Sequence, residues 1–99
     1  MEDVSHFEIE LKKLRDEIDE IDRSLVRLIS ERMRVVREIG RLKKEFRKPV
    51  VDRERELSVI RKVLQMAEAE SVNTELVLKI FSLLMEESRR IQREIERSG

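Results

Sequence analysis

The chain has 99 residues, 44% charged and 39% hydrophobic, with two Gly and one Pro; so few turn formers argue against a sandwich or barrel and for an all-α, single domain over residues 1–99. Lys and Arg number 22 against 22 Asp and Glu, a balance that gives no support for bulk nucleic-acid or anionic-membrane binding. No apolar run nears the ~20 residues of a membrane span, the acidic start Met1-Glu2-Asp3-Val4 lacks signal-peptide features, and the absence of Cys excludes disulfides, thiolate catalysis and Cys-based metal sites, so a cytoplasmic location is expected.

The first helix carries a start signal. Ser5 and Glu8 are spaced as a capping box, with Val4 and Ile9 as a hydrophobic staple. A heptad seam then runs through Leu11, Leu14, Ile18, Ile21, Leu25, Leu28, Arg32, Val35, Ile39, Leu42 and Phe46. Its steps alternate three and four, the signature of a helix-packing stripe, and only Arg32 is polar. Gly40 lies inside the pattern at a tolerable cost of ~1 kcal/mol against Ala. Pro49 ends the helix, because the residue before a proline disfavours helical backbone.

The second helix starts at Asp52, whose carboxylate can cap the free backbone N–H groups. Leu57, Ile60, Leu64 and Ala67 form its apolar stripe. The third starts at Asn73, with Val72 and Val77 placed as a staple. Its seam reads Val77, Phe81, Leu84, Ser88, Ile91, Ile95, again with one polar position. The expected architecture is three helices, one very long. A helix of about 40 residues extends roughly 60 Å, and two shorter helices cannot cover such a stripe. Without a Pro or a Gly pair to bend it, a second chain is expected to do so, in an intertwined helical homodimer.

The residues that break the apolar pattern carry the functional information. Arg32 interrupts the first seam, and Lys43 lies on the same face about 16 Å further on. Ser88 interrupts the third seam, with Gln92 one turn beyond. Asp52 and Glu56 share a face at the start of the second helix, beside Arg55, and Arg15 flanks the first seam. Each has an ordinary reading. Arg32 can snorkel or set register, Lys43 can be solvated, and Ser88 can bond to its own helix's carbonyl. Asp52 can simply be a cap, and Arg55 and Glu56 first-turn charges. Together they assemble cations, a hydroxyl, an amide and two carboxylates, a set suited to a small, multiply anionic, hydroxylated ligand between helices. No Ser–His pair, Gly-rich phosphate loop or HExxH metal motif is present, and His6, near the chain start, is given no role. The chemistry expected is electrostatic stabilisation with no metal and no cofactor.

The pattern resembles chorismate mutase of the all-helical class, from about Leu11 to Ile95. The segments that carry the likeness are Leu14-Arg15-Asp16-Glu17-Ile18-Asp19, Glu31-Arg32, Lys43, Pro49-Val50-Val51-Asp52-Arg53-Glu54-Arg55-Glu56 and Glu86-Glu87-Ser88-Arg89-Arg90-Ile91-Gln92. The resemblance implies a [3,3] Claisen-type rearrangement of the dicarboxylate chorismate to prephenate, on the route to Phe and Tyr, in a homodimer with two equivalent sites. It implies that Arg15 comes from the partner chain to bind one carboxylate, and that Arg32 binds the other. Lys43 and Gln92 would hydrogen-bond the ether oxygen. Glu56 and Asp52 would hold the ring hydroxyl, Lys43 and Ser88 would help seat a carboxylate, and Arg55 would support the acidic cluster. Two alternatives stand beside this: an isochorismate-pyruvate lyase on the same fold, which Glu56 argues against, and a non-catalytic helical scaffold, which gives no reason for Arg32 and Ser88 in apolar seams. At this length no fused prephenate-processing or amino-acid-sensing domain, and so no feedback control within the chain, is expected.

Overall fold

The computed structural model describes residues 2–98, and the side chains of residues 4–98. Three helices follow one another: α1 Glu2–Glu45, α2 Arg53–Ala69 and α3 Thr74–Arg97. Among the described residues there is no strand, and no helix is long and apolar enough to cross a membrane.

The helix ends follow from local chemistry. α1 begins upstream of the expected box: Ser5 lies inside it, and Val4 and Ile9 are exposed rather than stapled. No Pro or Gly precedes Ser5 to stop a long helix from propagating another turn. The far end closes two residues before Pro49. There Lys48 N–H donates to the Lys43 carbonyl (2.8 Å) and Arg47 N–H to that of Lys44 (3.2 Å), with Arg47 in the left-handed region at φ 53°. This is a Schellman closure built without glycine. α2 ends the same way: Val72 N–H donates to the Ala67 carbonyl (2.8 Å) and Ser71 N–H to that of Glu68 (3.2 Å), with Ser71 at φ 57°. Both expected caps form: Asp52 Oδ1 accepts from Arg55 N–H and Asn73 Oδ1 from Leu76 N–H, each at 3.0 Å.

The described chain falls into two compact units, one ending at Arg34 and one beginning at Val35. The first is a single stretch of helix. Its seam residues Leu14, Ile18, Ile21, Leu25 and Leu28 are 53–60% exposed. The second unit holds the last turns of α1 with α2 and α3. Its interior is built from Val36, Val63, Ala67, Ser88 and Gln92, and the α3 seam residues Val77, Phe81, Leu84, Ile91 and Ile95 are half-buried around it. In α2, Leu57 departs from the expected stripe and is exposed.

The seam of α1 also differs from expectation within this second unit. Val35, Ile39 and Leu42 remain exposed, whereas Val36 and Gly40 are buried and Lys43 is half-buried. The intrachain contact therefore uses the row of positions one residue beyond the seam. Gly40 faces α3 so closely that a Cβ there would stand 3.0 Å from Ile95 Cδ1 and 3.2 Å from Gln92 Cγ. The glycine is the point of close helix approach rather than a tolerated flaw.

Candidate functional site

Six of the eight expected site residues belong to the second unit: Lys43 on α1, Asp52, Arg55 and Glu56 at the start of α2, and Ser88 and Gln92 on α3. Gln92 packs against Gly40 and is buried. Its carboxamide oxygen has no hydrogen-bond partner among the described residues. A buried, unpartnered polar atom costs about 1–3 kcal/mol, so its persistence calls for a function. Lys43 lies three residues beyond Gly40, on the same face of α1. Its Nζ donates to the Val50 carbonyl at 2.7 Å. That bond uses one of three N–H donors, fixes the ammonium against the connector and leaves two for a ligand.

Asp52 spends Oδ1 on the α2 cap and keeps Oδ2 as an acceptor. Glu56 accepts from Arg89 Nη1 at 2.8 Å through Oε2, a half-buried pair bridging α2 and α3. The guanidinium bonded to Glu56 is thus that of Arg89. Arg55 is exposed and contributes its backbone N–H to Asp52. Ser88 donates its hydroxyl proton to the Leu84 carbonyl at 2.7 Å, the local bond that serines within helices commonly make.

Between α2 and α3, Val51, Ile60 and Met85 line a cleft of about 480 Å³ together with the Glu56–Arg89 pair and two further cations, Arg53 and Arg93. A further tie fixes α3 against α1: Lys44 Nζ donates to the Ile95 carbonyl at 3.1 Å and also to that of Ser98. A cation at the carbonyl end of α3 is favoured by the helix dipole. In the exposed Glu87–Arg90 pair, the bond to Arg90 holds the Glu87 carboxyl below the usual carboxylate range, and the same bond raises the Arg90 guanidinium.

The remaining two cations lie on the first unit. Arg15 is exposed and Arg32 is half-buried. They are 17 positions apart on one helix, about 25 Å along its axis and about 100° apart around it.

Sequence reasoning missed Arg89 and the packing role of Gly40. Arg89 directly follows the seam residue Ser88 in a run of charges, where nothing distinguishes it from its solvated neighbour Arg90. Gly40 offered a sharper signal: a glycine costing ~1 kcal/mol in mid-helix usually has a packing reason.

Comparison with known proteins places this geometry in context. Residues 14–93 match the family model described as chorismate mutase type II. A chorismate mutase of Methanocaldococcus jannaschii is 29% identical over 84 residues, covering 85% of each chain. The T-protein of Enterobacter agglomerans is 35% identical over 80% of this chain, which spans 21% of that protein. A bifunctional chorismate mutase/prephenate dehydratase of Aquifex aeolicus is 40% identical over 58% of this chain, which spans 16% of it.

Proposed function

The chain belongs to the chorismate mutase type II family, and from that premise we propose that it converts chorismate to prephenate as a single domain in a two-fold dimer with two equivalent sites. The observation that carries this reading is Gln92: a buried carboxamide with an unpartnered oxygen, packed on Gly40 in the row of α1 that ends at the half-buried Lys43. A half-turn of the carboxamide presents an N–H to the same space.

The rearrangement breaks one C–O bond and forms one C–C bond within a single molecule. It requires no nucleophile, no proton transfer and no cofactor. The residues therefore act by selecting the compact near-attack conformer and by stabilising charge as it develops. Lys43 and Gln92 donate to the ether oxygen, where negative charge grows as the C–O bond opens. Glu56 accepts the one proton of the ring hydroxyl through the oxygen that Arg89 leaves unused, and Asp52 helps to hold that hydroxyl from the start of α2. Arg55 stands beside this acidic pair as a further cation. Ser88 re-aims its hydroxyl toward a substrate carboxylate, assisted by Lys43.

Arg32 binds one carboxylate and Arg15 of the partner subunit binds the other. The open stripe of the first unit supports this assembly. When a second copy runs antiparallel with Ile21 facing Leu25 and Ile18 facing Leu28, Arg15 comes level with Glu31. It then lies one residue's rise, about 1.5 Å, from the level of Arg32. The same pairing covers the exposed seam, which no single copy of that helix can do for itself.

The test is direct. Purified protein should consume chorismate, followed by loss of its absorbance, with prephenate as the product by mass and chromatography. Release of pyruvate from isochorismate with no turnover of chorismate would replace the mutase reading by a lyase one. Failure to act on either, and failure to bind a dicarboxylate transition-state analogue, would leave only a helical scaffold.

A further inference from the structure

We infer that Arg89 is a positioning residue for the ring hydroxyl of the substrate, acting through Glu56. The inference rests on the mutase reading. It starts from one contact: Arg89 Nη1 donates to Glu56 Oε2 at 2.8 Å across the α2–α3 cleft. The two residues are 33 positions apart in sequence, so the contact exists only because the two helices pack. Their side chains are 28% and 29% exposed, so solvent screens this pair far less than the fully open pairs on α1.

The geometry divides the carboxylate's two oxygens between two tasks. Oε2 is held by the guanidinium. Oε1 has no partner among the described residues and can accept from a hydroxyl donor in the cleft. A glutamate side chain alone has three freely rotating torsions and loses that freedom on binding a ligand. Anchoring one oxygen in advance removes most of that loss and fixes the direction of the other. Arg89 touches the carboxylate rather than the reacting atoms, and the cleft around the pair is lined by Val51, Ile60 and Met85 together with the further cations Arg53 and Arg93.

Because the ring hydroxyl takes no part in bond breaking, Glu56 binds ground state and transition state alike, and its anchor should govern KM rather than kcat. The experiment compares chorismate with an analogue that lacks the ring hydroxyl, using the full chain and its Arg89→Ala and Arg89→Lys variants. Arg89→Ala should raise KM for chorismate about tenfold, as expected for a weakened charge-assisted hydrogen bond, with kcat changed by less than about threefold. KM for the analogue should be unchanged, because there is no hydroxyl for Glu56 to hold. Arg89→Lys, which keeps a cation and N–H donors, should recover most of the loss. Equal losses on both substrates would show a merely structural role and overturn the inference, as would an unchanged KM for chorismate. If Arg89→Ala loses its helical circular dichroism, Arg89→Gln, which keeps the bulk and a neutral donor, takes its place with the same expected pattern. Absence of chorismate turnover in the unmodified chain would overturn the mutase reading itself, and this inference with it.

Discussion

The stretch of α1 that ends at Arg34 and the unit that begins at Val35 carry the same three-four alternation of apolar residues, yet they use it differently. In the first, the seam from Leu14 to Leu28 is open along its length. In the second, the interior forms from Val36, Val63, Ala67, Ser88 and Gln92, and the α1 seam is again left out, displaced by one position from the row that meets α3. A helix with two adjacent apolar rows can serve two partners at once. One row packs the chain's own α3, and the other stays exposed. The polar residues divide in the same manner. Lys43, Glu56 and Gln92 are held by contacts inside the second unit, whereas Arg15, on the first, stands exposed.

This contrast can be broken most sharply at the buried amide. Gln92→Glu should cut kcat/KM at neutral pH about a hundredfold, because a carboxylate cannot donate to the ether oxygen. The carboxylic acid can donate, so activity of the variant should return as pH falls and vanish as pH rises through that group's titration. The unmodified amide does not titrate and should give a broad plateau across neutral pH. A steep loss near pH 6 in the unmodified protein would mean that another group supplies the essential donor.

The open seam is tested by Leu25→Asp. Burying a leucine is worth about 1.5–3 kcal/mol, and a two-fold assembly loses two of them while burying two charges. Sedimentation should shift from dimer to monomer at micromolar concentration, with activity falling at least about tenfold. A variant that stays dimeric would place the interface elsewhere.

Gly40→Ala probes the contact within the second unit. At an ordinary helical site the change adds about 1 kcal/mol of stability. Here the new methyl meets Ile95 Cδ1 at 3.0 Å, a flexible end that can swing, and Gln92 Cγ at 3.2 Å, which must give by a few tenths of an ångström. The melting temperature should stay within about 5 °C, while kcat falls about tenfold because a catalytic donor is displaced. A kcat within about twofold of the unmodified protein would show that the contact does not set the position of Gln92.

The smallest effect is expected at the closure of α1. Arg47→Gly relieves a left-handed residue and should stabilise by about 1 kcal/mol, raising the melting temperature by a few degrees with kinetics unchanged. A lower melting temperature would show that the Arg47 side chain contributes more than its backbone strain costs.

The three helices, both internal caps and the seam of α3 were legible because each rests on local chemistry: an Asx cap, a proline stop, a 3.6-residue period. The start of α1 was not, because a capping box at Ser5 cannot signal whether a longer helix runs through it. The Schellman closures at Arg47 and Ser71 were hidden because neither carries the glycine that marks such turns. The eight candidate site residues stood out as polar positions in or beside apolar rows or as charges at a helix start. Arg89 did not, because its partner Glu56 lies on another helix and only packing unites them. The second row on α1, through Val36 and Gly40, emerged only from the structure, because sequence periodicity alone does not say which row the chain keeps for itself.

The central claim is that each site draws Arg32 from one chain and Arg15 from the other. It is tested by preparing Arg15→Ala and Arg32→Ala proteins, each expected to be nearly inactive, and refolding them together. Random pairing makes about half the dimers mixed, and in each of these one site carries both lesions while the other carries none. Activity should return to at most about a quarter of that of the unmodified protein. No recovery, with mixed dimers verified by mass, would contradict the cross-chain site.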